Sequence, residues 1–188
     1  MNLESISEEI KNCKKCELFK KRNNTVPGKG NPKAKIMFIG EAPGKNEDLQ
    51  GIPFIGRAGD ILSELLEEIN LKREDIFITN IVKCRPPNNR DPTPEEIKTC
   101  APFLEKQIQV IKPKVIITLG RFAMNYILKK YNLPEKSITQ AHGEHYQVNT
   151  LENNLLIMPM YHPAATIYNP SKINDLKTDF KKLQKLIK

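Results

Sequence analysis

The hydrophobic positions of this chain form short continuous runs that alternate with stretches of helical spacing. Four runs predict buried strands, at residues 36–39, 76–81, 115–120 and 155–159. Between them, apolar side chains recur every three or four residues, as from Ala58 to Ile69, which is typical of an amphipathic helix. The alternation predicts a three-layer α/β/α fold, with a central four-stranded parallel sheet covered by helices on both faces.

Further helices and loops are predicted around this sheet. A short helix over residues 3–12 leads to Cys13, and Thr93 with Pro94 has the form of an N-cap and first residue for a helix running to about Ile111. A helix is expected over 121–130. A terminal amphipathic helix places one face inward, formed by Ile173, Leu176, Phe180, Leu183 and Ile187. Residues 40–56 are a loop rich in Gly and Pro, and the polar segment 137–150 is interpreted as a hairpin.

Length and charge narrow the class of protein. The 188 residues are expected to form one domain, residues 1–188, and the net charge of +8 is compatible with a polyanionic partner such as nucleic acid. No apolar run approaches the ~20 residues of a membrane span. The first residues show neither the basic nor the apolar part of a secretion signal. We therefore expect a cytoplasmic protein that does not interact with membranes.

Four cysteines suggest a metal site. Cys13 and Cys16 are separated by two residues, whereas Cys84 and Cys100 lie far downstream. A zinc ribbon normally uses two close Cys-x-x-Cys pairs, whereas iron–sulfur clusters accept longer and more varied spacings. A cytosolic location disfavours disulfides. The pattern favours an iron–sulfur site joining the N-terminus to the middle of the chain, with zinc or four unrelated thiols as alternatives.

Candidate functional side chains follow the predicted strands. Glu41 lies in the turn Gly40-Glu41-Ala42-Pro43-Gly44 after the first strand, Asn80 ends the second, and His162 follows the fourth. Ligands of parallel α/β sheets bind beyond the carboxyl ends of the strands. A carboxylate, an amide that both donates and accepts, and an imidazole would therefore share one rim. Phe54, held between Pro53 and Gly56, could stack there on a flat ring.

These residues lie within motifs that resemble the family 4 uracil-DNA glycosylases, the iron–sulfur type. The matching stretches are Gly-Glu-Ala-Pro-Gly at 40–44 with Glu47-Asp48, Pro-Phe-Ile-Gly-Arg-Ala-Gly at 53–59, Thr-Asn-Ile-Val-Lys-Cys-Arg-Pro-Pro at 79–87, and His-Pro-Ala at 162–164. The cysteine spacing also matches. The resemblance extends over about residues 3–187.

The resemblance implies a role for each matching position. It implies a structural 4Fe–4S cluster bound by Cys13, Cys16, Cys84 and Cys100. It implies a uracil pocket formed by the following residues: Glu41, Ala42, Pro43, Phe54, Asn80 and His162. Catalysis would depend on Glu41 and His162. The partner would be uracil-containing DNA, either single- or double-stranded. The protein is expected to act as a monomer.

Two positions depart from the better-known single-domain uracil glycosylases. Ala42 stands where those enzymes have an Asp, so Glu41 is expected to position water or to stabilise the sugar cation. Gly44 stands where they have a Tyr that excludes thymine, and Glu47 is the candidate for that task. The loop 85–99 has no His, unlike a related group that attaches covalently to DNA, so turnover is expected. A non-catalytic nucleic-acid-binding module and a glycosylase for another deaminated base are the alternatives.

Overall fold

A mixed sheet is the centre of the computed structural model, which describes residues 2–150 and 154–187. Within these residues the strands are β1 (Lys29–Gly30), β2 (Ile36–Gly40), β3 (Phe77–Asn80), β4 (Val115–Leu119), β5 (Tyr146–Asn149) and β6 (Asn154–Met160). They lie in the order β1-β3-β2-β4-β6-β5. The central four, β3, β2, β4 and β6, are parallel, whereas β1 and β5 pair antiparallel at the two edges.

Helices cover both faces of this sheet. They are α1 (Leu3–Lys11), α2 (Lys45–Gln50), α3 (Arg57–Glu68), α4 (Pro94–Ile111), α5 (Arg121–Lys130), α6 (Ile138–Ala141), α7 (Ala165–Tyr168) and α8 (Lys172–Leu186). On one face, Phe38 and Ile117 pack with α3 and α8. On the other, Met37 and Ile116 pack with α4 and α5. Successive strand residues point to opposite faces, so the continuous apolar runs supply two cores at once.

The fold class and the four parallel strands predicted from the sequence are confirmed. The two edge strands were not predicted. β1 is only two residues long, and β5 alternates between half-buried and exposed positions, so neither has an apolar run. The segment 137–150, interpreted from the sequence as a hairpin, instead contains the short helix α6 and the single strand β5, whose antiparallel partner β6 lies outside the segment. The glycine- and proline-rich loop 40–56 also contains α2, a short helix that was not expected.

The predicted start of α4 is confirmed in detail. Thr93 Oγ1 accepts a hydrogen bond from the Glu96 N–H (3.2 Å), and the Glu96 carboxylate accepts one from the Thr93 N–H (2.8 Å). This capping box satisfies two backbone donors that a helix end would leave free. Arg90 donates twice to the same carboxylate, at 2.9 and 2.6 Å. The loop after β3 is thereby fastened to the first turn of α4.

A third apolar cluster joins α1 to α4 and the end of β3. Ile6 and Ile10 of α1 pack there with Val82 and Phe103, and all four cysteines and Ala42 border the same cluster. The described helices include none that is both long and apolar enough to span a membrane.

Candidate active site

A cleft of about 730 Å³ opens at the carboxyl ends of the parallel strands. It is bordered by the turns after β2, β3, β4 and β6, as the parallel topology requires. All of the pocket residues predicted from the sequence line it: Glu41, Ala42, Pro43, Phe54, Asn80 and His162. Residues as distant in sequence as Glu41 and His162 are brought together because parallel strands end at the same edge of the sheet.

Two flat rings face each other in this cleft. The centroids of the Phe54 ring and the His162 imidazole are 5.5 Å apart, with 25° between their planes. Phe54 is only 6% exposed and has a φ of 52°, a left-handed backbone conformation that is costly for an aromatic residue. Such strain is retained only where neighbouring contacts enforce it, and here those contacts are visible.

The Phe54 loop is held from both sides. The Glu47 Oε1 atom accepts hydrogen bonds from the N–H groups of Ile55 (3.0 Å) and Gly56 (2.9 Å), and Arg73 donates to the Pro53 carbonyl (3.0 Å). A Cβ atom at Gly59 would overlap the Phe54 carbonyl, so glycine is needed for α3 to approach the loop. Sequence reasoning missed Arg73, which lies outside the matching motifs, and it included Gly59 in the motif at 53–59 without assigning it a role.

Gly40 allows the aromatic ring and the amide to meet. A Cβ atom on this residue would lie 2.7 Å from Phe54 Cζ and closer still to Asn80 Oδ1. Asn80 is 2% exposed, and its Oδ1 atom has no hydrogen-bond partner among the described residues. A buried acceptor without a partner costs roughly 1–3 kcal/mol, so a ligand that donates to it would bind favourably. The arrangement suits a flat ring with an N–H donor at its edge.

The tautomer of His162 allows its Nε2–H group to donate a hydrogen bond. Its Nδ1 atom accepts one from the Ala164 N–H (3.1 Å), which leaves the proton of the neutral ring on Nε2. Burial lowers the pKa of His162 to about 4, although the charge of Glu47 opposes this shift. The imidazole is therefore neutral at physiological pH, and it can stabilise a developing anion through Nε2–H without first losing a proton.

The pKa of Glu41 is raised, whereas that of His162 is lowered. Burial, and next the nearby charge of Asp91, raise the pKa of Glu41 to about 7, while Arg121 lowers it. Asp91 and Arg121 form an ion pair of 2.5 Å that borders the cleft. A carboxyl group with a pKa near 7 exchanges protons readily under physiological conditions, which is a common property of catalytic acids and bases.

The four cysteines border a second and much smaller cavity, of about 10 Å³. All four are free thiols, and Cys84 and Cys100 are buried. The Arg22 guanidinium donates to Cys84 Sγ (3.2 Å), and the Lys83 N–H donates to Cys100 Sγ (3.2 Å). Burial raises the pKa of Cys100 to about 12, so this thiol stays protonated unless a cation displaces its proton.

The thiols do not converge on a point. Among residues 2–150 and 154–187, no three His, Cys, Asp or Glu side chains are grouped closely enough to hold a single metal ion. A tetrahedral zinc site needs four ligand atoms at about 2.0–2.3 Å from one ion. The observed arrangement of four thiols around a cavity differs from that geometry.

Lys83 belongs to the motif at 79–87 beside the predicted pocket, where a basic side chain would be expected to contact DNA. Its side chain is instead 1% exposed. Burial lowers its pKa to about 7, and its ammonium group is bound by three oxygen atoms within the protein. It cannot reach a phosphate without unfolding its surroundings.

Several known proteins that are similar in sequence to this chain are uracil-DNA glycosylases, which agrees with the geometry of the cleft. The sequence pattern described as "Uracil DNA glycosylase superfamily" matches residues 27–187. The chain is 52% identical to a type-4 uracil-DNA glycosylase of Saccharolobus solfataricus, over 99% of this chain and 87% of that protein. It is 48% identical to the type-4 enzyme of Archaeoglobus fulgidus, over 98% and 93% of the two chains. A type-5 uracil-DNA glycosylase of Thermus thermophilus is 35% identical over 64% of this chain and 62% of that protein.

The extent of these matches and the level of sequence identity show the family. The chain belongs to the uracil DNA glycosylase superfamily and, within it, to the type-4 uracil-DNA glycosylases. The resemblance found from the motifs is thereby confirmed.

Proposed function

We propose that this chain is a DNA-repair enzyme that hydrolyses the N-glycosidic bond of uracil in DNA, releasing free uracil and leaving an abasic site. The observation that carries the proposal is the meeting of Phe54, Asn80 and His162 in one cleft, with a buried acceptor on Asn80 that lacks a partner. Relatives about half identical over nearly the whole chain are named for the same activity.

Uracil would be recognised after extrusion from the base stack, which costs a few kcal/mol. Stacking on Phe54 would return roughly 1–3 kcal/mol. The Asn80 Oδ1 atom would accept the hydrogen bond of the uracil N3–H. Cytosine has an acceptor at the same ring position, so it would leave the buried Asn80 oxygen facing another lone pair, which is unfavourable.

Cleavage breaks the bond between the sugar C1′ and the uracil N1, and the electron pair leaves with the base. His162 Nε2–H and the backbone of the turn Glu41-Ala42-Pro43 would stabilise the resulting anion. Glu41 in its ionised form would orient a water molecule and stabilise the positive sugar. The water oxygen forms the new bond to C1′, and its proton passes to Glu41.

Thymine would be excluded at Gly44. A Cβ atom on this glycine would lie 2.8 Å from Glu47 Oε2, so the Glu47 carboxylate fills the space beside it. Glu47 is anchored by the N–H groups of Ile55 and Gly56, which makes it a rigid obstacle rather than a mobile surface side chain. A methyl group on the base would meet this carboxylate.

The four cysteines fit a cluster of several metal atoms. Cys13, Cys16, Cys84 and Cys100 border one cavity, and donors from Arg22 and Lys83 already point at two of the sulfurs, as they do around anionic thiolates. We infer that they bind a 4Fe–4S cluster. When bound, the cluster would act structurally, since it would cross-link the segment after α1 to the end of β3 and to α4.

DNA binding should weaken steeply as salt rises. The net charge is +8, and Arg121 at the cleft rim remains 61% exposed beside Asp91. Neutralising about three phosphates would lower the affinity roughly 40-fold between 50 and 200 mM salt. Fluorescence anisotropy with an abasic oligonucleotide measures this slope, and an affinity independent of salt would contradict the proposal.

The predicted cytoplasmic location, single domain and monomeric state stay predictions.

The rate should depend on pH through Glu41. Because the active form is the carboxylate and its pKa is about 7, kcat/KM is expected to fall about tenfold per unit below that pH and to level off above it. His162 stays neutral across this range. Asp91→Asn should move the inflection to lower pH, because the charge of Asp91 raises the pKa of Glu41. Values of kcat/KM measured from about pH 5 to 9 test both statements. A wild-type profile without an inflection, or an inflection unmoved by Asp91→Asn, would argue against this role.

The decisive test is an assay of base release. Oligonucleotides that differ only in one base, uracil, thymine, cytosine or hypoxanthine, are incubated with the protein and then cleaved with alkali at abasic sites. Cleavage specific to uracil, with free uracil in the supernatant and no adduct after borohydride treatment, is the expected result. Binding without cleavage would instead indicate a non-catalytic module, and preferential release of hypoxanthine would indicate a different base.

A further inference from the structure

A buried lysine lies directly behind the uracil-reading amide. The Lys83 Nζ atom donates to the backbone carbonyl of Asn80 (2.7 Å), to Thr79 Oγ1 (2.6 Å) and to Gln107 Oε1 (2.7 Å). An ammonium group has three donors, and here each has an acceptor. Burial of an ammonium group is costly, so a charged lysine is kept in such a place only where its hydrogen bonds compensate.

Lys83 takes the place of a missing strand at the end of β3. The edge strand β1 pairs only with Phe77 and Ile78, and therefore does not extend beside Thr79 and Asn80. On the other side, β2 pairs with β3 as far as Asn80. The Lys83 side chain folds back over the last two residues of β3 and binds the carbonyl of Asn80, which would otherwise be buried without a strand partner.

This anchoring matters because no hydrogen bond from the described residues holds the Asn80 Oδ1 atom. The direction of the amide is therefore set by the backbone of Asn80 and by the contacts at Gly40 and Phe54. A rotation of this backbone would move the acceptor away from the edge of the bound base.

We propose that Lys83 is a positioning residue for uracil recognition, which holds the backbone of Asn80 so that its amide faces the base. The inference rests on the proposed function and deepens it. Lys83 acts through Asn80 and does not touch the base. Its own N–H binds Cys100 Sγ, but this backbone bond does not depend on the side chain, so a side-chain variant separates the two contacts.

The test compares Lys83→Met with the wild type. Methionine keeps a long apolar stem but has no donors. Three quantities are measured: inhibition by free uracil, affinity for DNA carrying an abasic site, and bound iron. Ile127→Ala serves as a matched control, because Ile127 is fully buried in α5 away from the cleft and its truncation destabilises the fold without touching Asn80.

The expected result is selective. Free uracil should inhibit the Lys83→Met enzyme about tenfold or more weakly than the wild type, as expected when a buried hydrogen bond is lost. Its affinity for abasic DNA and its iron content should stay within about twofold of the wild-type values. If Lys83→Met does not fold, Gln107→Met removes one of the three acceptors and should give a smaller shift, about threefold, in the same direction.

Three outcomes would overturn the inference: unchanged uracil inhibition, an equal loss of uracil and abasic-DNA affinity, or a loss of uracil affinity that Ile127→Ala reproduces. Failure of the proposed function gives a different result, since the wild type itself would then neither release uracil nor be inhibited by it.

Discussion

His162→Ala is expected to lower the single-turnover rate of uracil release roughly 100- to 1,000-fold, the usual cost of removing one donor to a developing oxyanion. The reason lies in the tautomer. Because the Ala164 N–H binds Nδ1, the proton of the neutral ring is on Nε2, directed away from its own backbone. Alanine removes this donor and also the ring that lies 5.5 Å from Phe54.

His145→Ala is the matched control. His145 is exposed and does not line the cleft, so its replacement should leave the rate within about twofold, as for most surface substitutions. His162→Gln separates stacking from donation, because its amide retains an N–H donor but has no ring. A His162→Ala enzyme as fast as the wild type would show that this donor does not stabilise the leaving base.

Cys84→Ala is expected to abolish iron binding and to destabilise the protein. The proposed cluster joins Cys13 and Cys16 to Cys84 and Cys100, and metal binding energy of this kind contributes directly to folding. A loss of about 3 kcal/mol would lower Tm by roughly 6–12 °C in a chain of this size. Iron content, absorbance at about 400 nm, where iron–sulfur clusters absorb, and thermal unfolding are measured together.

The control for this variant keeps all four thiols. Val82→Ala removes a buried side chain from the same apolar cluster, so it should reduce stability but retain iron. Wild-type protein purified without oxygen that contains zinc and no iron would contradict the assignment, as would a Cys84→Ala variant that keeps its full complement of iron.

Much of the fold follows from local pattern. The four central strands are continuous apolar runs, and the start of α4 at Thr93 and Pro94 is a local hydrogen-bonding motif. Such signals depend on neighbours in sequence, so they survive without knowledge of the tertiary structure. The edge strands β1 and β5 lack them, because their pairing is set by the partner strand rather than by their own side chains.

The fold class and the family could be predicted without coordinates, and so could the shared rim of Glu41, Phe54, Asn80 and His162, because each is a distinctive side chain at the end of a strand or in a glycine-rich turn. The protonation and the orientation of these groups could not, because both depend on the folded surroundings. The pKa values of Glu41 and His162 depend on burial, the conformation of Phe54 on Glu47 and Arg73, and the inward position of Lys83 on the early end of β1. Desolvation and long-range hydrogen bonds arise from residues distant in sequence, so no local pattern carries them.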